Sequence, residues 1–258
     1  MRTLGRDLGV DPARIEGHGN GGRVTRDDVR NAAAARAEIV PFDNVRRRTA
    51  VALLESKQTA AHACTLSVAD YTAVDTVRRA AGLTALPFVA RAVIDALREF
   101  PVLNATVDAD DTLTMHRAVH LGIAVDLDFR GLVVPVVHDA DGLRLRALAT
   151  AIRDVARRAR ARQLTADDLA GGTFTITNPG ASGTWISFPI INRPQVGILA
   201  TDGVAKQVVA DGDGRLRIAP LGHLCLSFDH RALDGAYAGA FVERVGEIVR
   251  TRDWTGEL

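Results

Sequence analysis

The feature that most constrains the fold is the stretch from His223 to Ala236, in which an alternating apolar run ends in a group of ionisable residues. The alternation predicts a half-buried strand, and an Asp-Gly pair then opens a helical pattern over 236–250. The junction at Asp229, His230 and Arg231 is a common place for a reactive side chain held by a rigid scaffold.

His230 can act as a base, because an imidazole titrates at about 6.5 and can take a proton from a thiol or hydroxyl near neutral pH. Asp234, four residues on, is close enough to orient the imidazole or stabilise its charge if the chain turns. The residues also allow a structural interpretation, in which Asp229 and Arg231 form a surface ion pair and His230 is a turn residue. Both interpretations stay open at this point.

A second stretch with chemical potential runs from Thr173 to Gly180. Its alternating β-branched residues predict a strand through Thr177, and Asn-Pro-Gly then ends the strand in a turn. A hydroxyl at a strand end can donate a hydrogen bond to a developing oxyanion. Hydroxyl side chains are also ordinary in strands, so the pattern alone does not assign this role to Thr177.

The ordered run Ser227-Phe-Asp-His-Arg-x-x-Asp-Gly-Ala resembles the active-site signature of the 2-oxo acid dehydrogenase acyltransferases. These components move an acyl group between dihydrolipoyl-lysine and coenzyme A. The run that ends at Thr177 resembles a second element of the same family. The resemblance implies that His230 is the general base, that Asp234 orients it or stabilises its charge, and that Thr177 stabilises the tetrahedral intermediate.

The same resemblance implies an α/β fold of the chloramphenicol acetyltransferase type for residues 42–258, with a mixed sheet flanked by helices. It also implies homotrimers, with a larger cubic core as a further level of assembly. The active site would lie at a subunit interface, with His230 and Thr177 supplied by different chains. The segment Asp253–Leu258 departs from the family's apolar tail, so the assembly beyond the trimer stays open.

Ser56 and Lys57 match a family element that lies near coenzyme A, the predicted acyl acceptor. They belong to a helix predicted over 44–59. The apolar side of this helix comprises Val45, Thr49, Val51, Leu53 and Leu54. The segment that follows, Ala61-His-Ala-Cys, differs from the family's usual Pro-His-Phe-Thr, so the resemblance does not define the shape of the pocket there.

Residues 1–36 predict a separate, small all-α unit, followed by a linker at 37–41. A short helix over 2–8 leads into a glycine-rich loop, and Thr25 is a good N-cap for a second helix through Arg36. The expected core comprises Leu4, Leu8, Val10, Ile15, Val24 and Val29. A helix-turn-helix fragment is an alternative, although the loop is long and glycine-rich for its tight turn.

The run from Ile15 through the glycine-rich loop resembles the peripheral subunit-binding domain of the same family. The resemblance implies docking of lipoamide dehydrogenase (E3) or the decarboxylase (E1) by charge pairing. The candidate positions are Arg2, Arg6, Arg14 and Arg23. No lipoyl-domain segment occurs in the sequence, so the lipoyl group is expected from a lipoyl domain acting in trans or from a missing N-terminal domain.

Composition argues against several other classes of protein. The net charge of +1 gives no overall attraction to nucleic acid or membrane. No apolar run approaches the roughly 18 residues that span a bilayer, and the histidines form no metal set, so a cytoplasmic protein without a metal is expected. Cys64 and Cys225 lie in apolar runs that predict buried thiols in a reducing compartment. Cys225 is an alternative nucleophile, because it lies five residues before His230.

Two other functions stay open. The chain could be a non-catalytic core or adaptor that docks E1 or E3, or it could acylate a small molecule, as relatives of the same fold do. The residues do not rank acetyl, succinyl and branched-chain acyl groups, and they do not rank E1 against E3.

Overall fold

The structure, a computed structural model, describes residues 1–35, 40–110, 112–210 and 212–258. These residues divide into two compact units, Met1–Asn44 and Val45–Leu258. Residues 36–39, which include most of the predicted linker, lie outside the described part of the chain. The boundary expected at 36–42 therefore stays a prediction.

The described residues form seven α-helices and eleven strands. The helices are α1 (Arg2–Asp7), α2 (Arg26–Ala34), α3 (Asn44–Thr59), α4 (Thr72–Ala81), α5 (Leu86–Glu99), α6 (Leu145–Arg160) and α7 (Gly235–Thr251). The strands are β1 (His62–Asp70), β2 (Ala105–Val107), β3 (Leu113–Met115), β4 (Leu121–Ile123), β5 (Val125–Asp126), β6 (Leu132–Val133), β7 (Val136–Val137), β8 (Phe174–Thr177), β9 (Gly197–Thr201), β10 (Ala205–Ala210) and β11 (Leu216–Asp229).

The small unit contains the two predicted helices, and Thr25 is the N-cap of α2. The Thr25 hydroxyl accepts a hydrogen bond from the backbone N–H of Asp28 at 3.2 Å, and the Asp28 carboxylate accepts one from the backbone N–H of Thr25 at 2.7 Å. These two bonds satisfy donors that every helix start leaves without a partner. The helix therefore begins where the sequence predicted.

The apolar core of the small unit is smaller than predicted. Val10 and Val29 are buried, but Leu8 is 42% exposed, so the prediction is wrong for that residue. Leu8 caps the C-terminus of α1, and the following Gly9 turns the chain with a φ of 66°. With so little apolar area removed from water, polar contacts carry more of this unit's stability.

The large unit is built on a mixed sheet of seven described strands. Their order is β1-β11-β9-β8-β4-β7, and β10 pairs with the first part of β11. Strand β8 runs parallel to both β4 and β9, whereas the other pairs are antiparallel. Two-stranded sheets, β2–β3 and β5–β6, complete the strand pairing. A mixed sheet with flanking helices is the architecture that the family resemblance implied.

The alternation that predicted β11 divides its side chains between two faces of the sheet. Leu224, Leu226 and Phe228 belong to the apolar core shared with helices α4 to α7. Cys225 and Ser227 point to the opposite face, since successive side chains of a strand alternate. Both are fully buried, so part of the opposite face is also covered.

The face opposite the core is covered only in part. Leu66 and Val68 of β1 are exposed there, opposite Cys225 and His223 of β11. We call this surface the open sheet face. Exposed apolar side chains gathered on one face are typical of a surface that another molecule covers.

The C-terminal segment is fixed to the core of its own chain. Trp254 is buried and packs edge-to-face on Phe88, with ring centroids 5.2 Å apart. Its indole N–H donates to the carbonyl of Val249 at 3.1 Å. The buried indole of Trp254 therefore closes one end of the core behind α7.

Helix α3 has the predicted bounds, but its apolar side is largely open. Val51 and Leu54 are exposed, and Ser56 is the buried residue of the helix. The helical period shows which residues share a face, but it does not show what covers that face.

Strands β4 to β7 are four short strands between residues 121 and 137. Pro135 separates β6 from β7, and its carbonyl accepts a hydrogen bond from the N–H of Ile123 at 2.8 Å. Strand β7 lies at the edge of the sheet. A proline fits this position, because proline has no N–H to donate to a strand ladder and therefore occurs at sheet edges and bulges.

Candidate active site

The turn after β11 is held by a buried carboxylate. Asp229 is 2% exposed and accepts hydrogen bonds from the backbone N–H groups of Ala61 and Arg231, both at 3.1 Å, and from the Arg231 guanidinium at 2.7 Å. Burial raises the pKa of Asp229, but these hydrogen bonds outweigh it, so its pKa lies below the usual value. The ion pair of the structural interpretation does form, although its carboxylate is buried.

His230 is presented by this turn with its backbone fixed and its ring accessible. Its N–H donates to the Ala61 carbonyl at 2.8 Å, and its side chain is 48% exposed. Nδ1 lies 3.6 Å from a carboxylate oxygen of Asp234, and the ring of Phe228 lies 5.5 Å away. With Nδ1 facing a carboxylate, Nε2 is the nitrogen that can exchange a proton with a substrate.

Thr177 ends β8 and lines a pocket of about 520 Å³ on the same sheet face as Ile198. We call this the Thr177 pocket. Its walls come from α3, from the segments around β6, and from the loop before β9. The lining residues are Ala52, Leu53, Glu55, Ala124, Leu132, Val134, Thr177, Pro179, Ser187, Phe188, Pro189, Ile190, Ile191, Asn192, Arg193, Pro194 and Ile198.

His230 and Asp234 are not among the described residues that line the Thr177 pocket. One chain therefore presents the two predicted halves of the site separately. The imidazole and its carboxylate lie at the end of β11, whereas the hydroxyl lies at the end of β8.

Ser56 and Lys57 follow Glu55, which lines the Thr177 pocket, but neither is among the described residues that line it. The Ser56 hydroxyl is buried and donates to the carbonyl of Ile191 at 2.6 Å. This bond ties α3 to the loop that forms the opposite wall. Lys57, one residue further along the helix, is exposed. Contact of either residue with coenzyme A stays a prediction.

A second, more polar depression was not predicted from the sequence. It consists of two adjoining cavities of about 360 and 170 Å³ that share Tyr71, Thr84, Ala85 and Val204. The larger is lined by Arg78, Arg79 and Lys206, and the smaller by Asn178, which follows Thr177 in the chain. We call it the Tyr71 groove. Its residues come from distant parts of the chain, so no local motif could have indicated it.

The Tyr71 hydroxyl has no hydrogen-bond partner among the described residues, although the side chain is 2% exposed. Burial, and then the charge of Asp202, raise its pKa above the usual value, so the hydroxyl remains a donor. The groove is cationic at its outer end. Arg78 and Arg79 share one carboxylate, Asp75, and Lys206 forms no ion pair in the described part of the chain.

The cysteines fit the sequence prediction only in part. Cys225 is buried as expected, whereas Cys64 is exposed because it lies on the open sheet face. Burial, followed by the charges of Cys64 and Asp202, raises the pKa of Cys225 to about 12. A thiol that stays protonated at neutral pH is a poor nucleophile, which argues against Cys225 in that role.

Two kinds of feature are absent from the residues that the structure describes. No group of three or more His, Cys, Asp or Glu side chains is arranged to hold a metal ion. No helix combines the length and the apolar character needed to cross a membrane.

The small unit presents the four predicted partner-binding arginines, Arg2, Arg6, Arg14 and Arg23, as exposed side chains. Arg14 forms a pair with Asp11 at 3.6 Å, in which both groups are largely exposed. Exposed pairs of this kind are weak, so Arg14 can exchange its partner at little cost.

Comparisons with known proteins identify the family. Residues 34–253 match the family model described as 2-oxoacid dehydrogenases acyltransferase (catalytic domain), and residues 2–30 match the e3 binding domain. A chloramphenicol acetyltransferase of known structure is 14% identical with a TM-score of 0.51, over 83% of this chain and 99% of that one, and shows the fold alone.

Two relatives bear the names of whole complex components. The chain is 34% identical to the dihydrolipoyllysine-residue acetyltransferase component of the pyruvate dehydrogenase complex of Corynebacterium glutamicum, over 100% of this chain and 44% of that protein. It is 35% identical to the succinyltransferase component of the 2-oxoglutarate dehydrogenase complex of Rickettsia bellii, over 94% of this chain and 66% of that protein. The chain thus spans about half to two thirds of these relatives.

A solved structure of the dihydrolipoamide acetyltransferase of Azotobacter vinelandii is 33% identical, with a TM-score of 0.79, over 83% of this chain and 91% of that one. That work concerns the role of a serine, a histidine and an asparagine in its catalytic mechanism.

Proposed function

Because the chain belongs to the 2-oxoacid dehydrogenase acyltransferase family, we propose that it moves an acyl group between dihydrolipoyl-lysine and coenzyme A. The observation that carries the proposal is the imidazole of His230, half exposed at a strand end with a carboxylate 3.6 Å from Nδ1. In the Azotobacter enzyme the studied histidine and asparagine are four residues apart, as His230 and Asp234 are.

His230 acts as the general base. A thiol with a pKa of about 8.5 is mostly protonated at neutral pH, so Nε2 of His230 takes the proton from coenzyme A. The thiolate attacks the carbonyl carbon of the acyl-lipoyl thioester, and the Thr177 hydroxyl donates to the resulting oxyanion. When the intermediate collapses, the dihydrolipoyl sulfur leaves and receives the proton from His230. Asp234 stabilises the imidazolium between the two transfers.

The active site is completed between copies of the chain. His230 and Thr177 do not line one pocket within a single chain, and the open sheet face leaves apolar side chains for a partner copy to cover. We therefore place His230 of one copy against the Thr177 pocket of the next, in a homotrimer. A larger cubic core would add contacts between trimers.

Coenzyme A is the second substrate. Ser56 and Lys57 remain the residues that the family resemblance assigns to it. The Tyr71 groove provides further support, because Lys206 and the two arginines at its outer end suit phosphate groups, and Asn178 at its inner end adjoins Thr177. The lipoyl group arrives on a lipoyl domain, in trans or from another part of a longer chain.

The small unit docks a partner enzyme through Arg2, Arg6, Arg14 and Arg23. Its match to the e3 binding domain supports lipoamide dehydrogenase (E3) as one partner, and the decarboxylase (E1) is the other candidate. A pull-down with each enzyme, with and without charge reversal at Arg6 and Arg23, would rank the two.

The test of the proposed reaction is steady-state turnover of acetyl-, succinyl- and isobutyryl-CoA with free dihydrolipoamide. We expect turnover with at least one of them, and a fall of about 10²–10⁴-fold in His230→Ala with the trimer intact in sedimentation. His138→Ala is the matched control, since that exposed imidazole bonds the carbonyl of Asp167, lies beside the ring of His120 and has no part in the proposed mechanism. No turnover in the unaltered trimer would favour the adaptor function instead, and full activity of His230→Ala would refute the role of the base.

A further inference from the structure

The Thr177 pocket contains one charged pair that the reaction mechanism does not use. Arg193 and Glu55 both line the pocket, and Nη1 of Arg193 lies 3.1 Å from Oε1 of Glu55. Arg193 belongs to the loop before β9, and Glu55 belongs to α3. Among the described lining residues, Arg193 is the only cation.

The two partners of this pair differ in exposure. The side chain of Arg193 is 26% exposed, whereas that of Glu55 is 63% exposed. A pair with one such exposed member contributes little to stability, so a competing carboxylate can displace or share it. The arginine, in contrast, is held in the wall of a largely apolar pocket.

The Arg193 guanidinium has N–H donors that Glu55 does not use. It carries five N–H groups in a fixed fork, and Glu55 accepts from Nη1 alone. Within the described part of the chain, the Arg193 guanidinium forms no other hydrogen bond or ion pair. A second carboxylate can therefore bind the remaining edge in the bidentate arrangement that arginine favours.

The position of this cation relates it to the acyl group. Thr177, the proposed oxyanion donor, lines the same pocket, so an acyl carbonyl at its hydroxyl directs the acyl chain into the space that Arg193 borders. The polar neighbours Ser187 and Asn192 also line this space. A methyl group there would leave the guanidinium without a new partner, whereas a carboxylate would pair with it.

We propose that Arg193 binds a carboxylate at the far end of the acyl group, so that the preferred acyl groups are half-thioesters of dicarboxylic acids, such as succinyl. This proposal rests on the proposed acyltransferase function. It concerns the identity of the acyl group, which the comparisons leave undecided because an acetyltransferase and a succinyltransferase are nearly equally similar to this chain. Arg193 fixes specificity by pairing with the substrate, and Glu55 orients it in the empty pocket.

The experiment compares succinyl-CoA with acetyl-CoA in two ways, by kcat/KM with dihydrolipoamide and by Kd from calorimetry. We expect the unaltered chain to favour succinyl-CoA by both measures. Arg193→Gln is expected to lower the succinyl-to-acetyl ratio at least 10-fold, and Arg193→Lys to restore part of it, because lysine keeps the charge without the fork. Arg160→Gln, at an exposed position on α6, is the matched control and keeps the ratio of the unaltered chain.

Thermal melting and sedimentation of each variant would separate loss of specificity from loss of fold. A preference of the unaltered chain for acetyl-CoA, or a ratio that Arg193→Gln leaves within 3-fold, would overturn the assignment of Arg193. A Kd preference for succinyl-CoA that depends on Arg193, in a chain that turns over no acyl-CoA, would keep the assignment and reject the proposed reaction.

Discussion

The same short pattern, a threonine followed three residues later by an aspartate, closes a turn in each of the two units. In the small unit it is Thr25 with Asp28, and in the large unit it is Thr165 with Asp168. The hydroxyl accepts from the aspartate N–H at 3.2 Å in the first and 3.3 Å in the second. The carboxylate accepts from the threonine N–H at 2.7 and 2.8 Å respectively.

The surroundings of the two carboxylates differ. Asp28 also accepts from the backbone N–H of His18 at 3.1 Å and lies 2.9 Å from Nδ1 of the same residue, so it joins the glycine-rich loop to α2. Asp168 instead pairs with Arg158 of α6 at 2.5 Å. The large unit has an extensive apolar core, and the small one does not. An identical local motif is therefore a main support in one unit and an accessory in the other.

Both carboxylates are held in the charged form. Hydrogen bonds from the backbone N–H groups of Thr25 and His18 hold the pKa of Asp28 well below its usual range. For Asp168 the Arg158 guanidinium has the largest effect, followed by the N–H of Thr165. The difference between the units thus lies in what each carboxylate connects and not in its ionisation.

The largest expected effect comes from removing each carboxylate. Asp28→Ala is expected to unfold the small unit, because the loop then loses its tie to α2 and few apolar contacts remain. Asp168→Ala is expected to leave the large unit folded. Hydrogen exchange of backbone amides in the full chain, resolved by peptide, measures both. Protection that survives in the small unit of Asp28→Ala would show that its core suffices alone.

The second largest expected effect is a difference in acid stability between the two units. A carboxylate whose folded pKa is depressed contributes stability that is present above its unfolded pKa, about 3.9, and is lost as pH falls toward the folded value. We expect the small unit to unfold below about pH 4, before the large unit does. Backbone NMR signals of residues 18–30 report the small unit, and fluorescence of Trp185 and Trp254 reports the large one. Loss of both signals at the same pH would contradict the expected difference in acid stability between the two units.

The smallest expected effect concerns the threonines. Thr25→Ala removes an N-cap hydroxyl and should cost about 1 kcal/mol of opening free energy in the small unit. Thr165→Ala, the matched change, precedes only a short 3-10 turn at Asp167–Leu169 and should change the large unit by less than about 0.5 kcal/mol. Hydrogen exchange under native conditions measures both free energies. Equal losses of free energy in the two variants would mean that the surrounding unit does not change the contribution of this motif to stability.

Local patterns predicted much of the fold. Thr25 indicated the start of α2, and the alternation through Phe228 indicated β11. Both features depend on neighbours along the chain, through a helix cap or the side-chain period of a strand. The resemblance to a family also placed His230 and Asp234 within reach of each other, although their catalytic roles stay predictions.

Features that depend on distant partners could not be predicted in the same way. Cys64 and Leu8 were expected to be buried, because an apolar run shows a preference for burial and not the presence of a covering element. The pair of Glu55 with Arg193 joins residues 138 positions apart, and the sequence contains no local signal for it. The Tyr71 groove was missed for the same reason.

The open sheet face has a consequence for how this protein must be made. A newly folded chain displays Leu66 and Val68 to the cell, and such a surface can bind any other apolar surface. If the homotrimer proposed above covers this face, productive assembly competes with aggregation, and the outcome depends on how quickly sister chains meet.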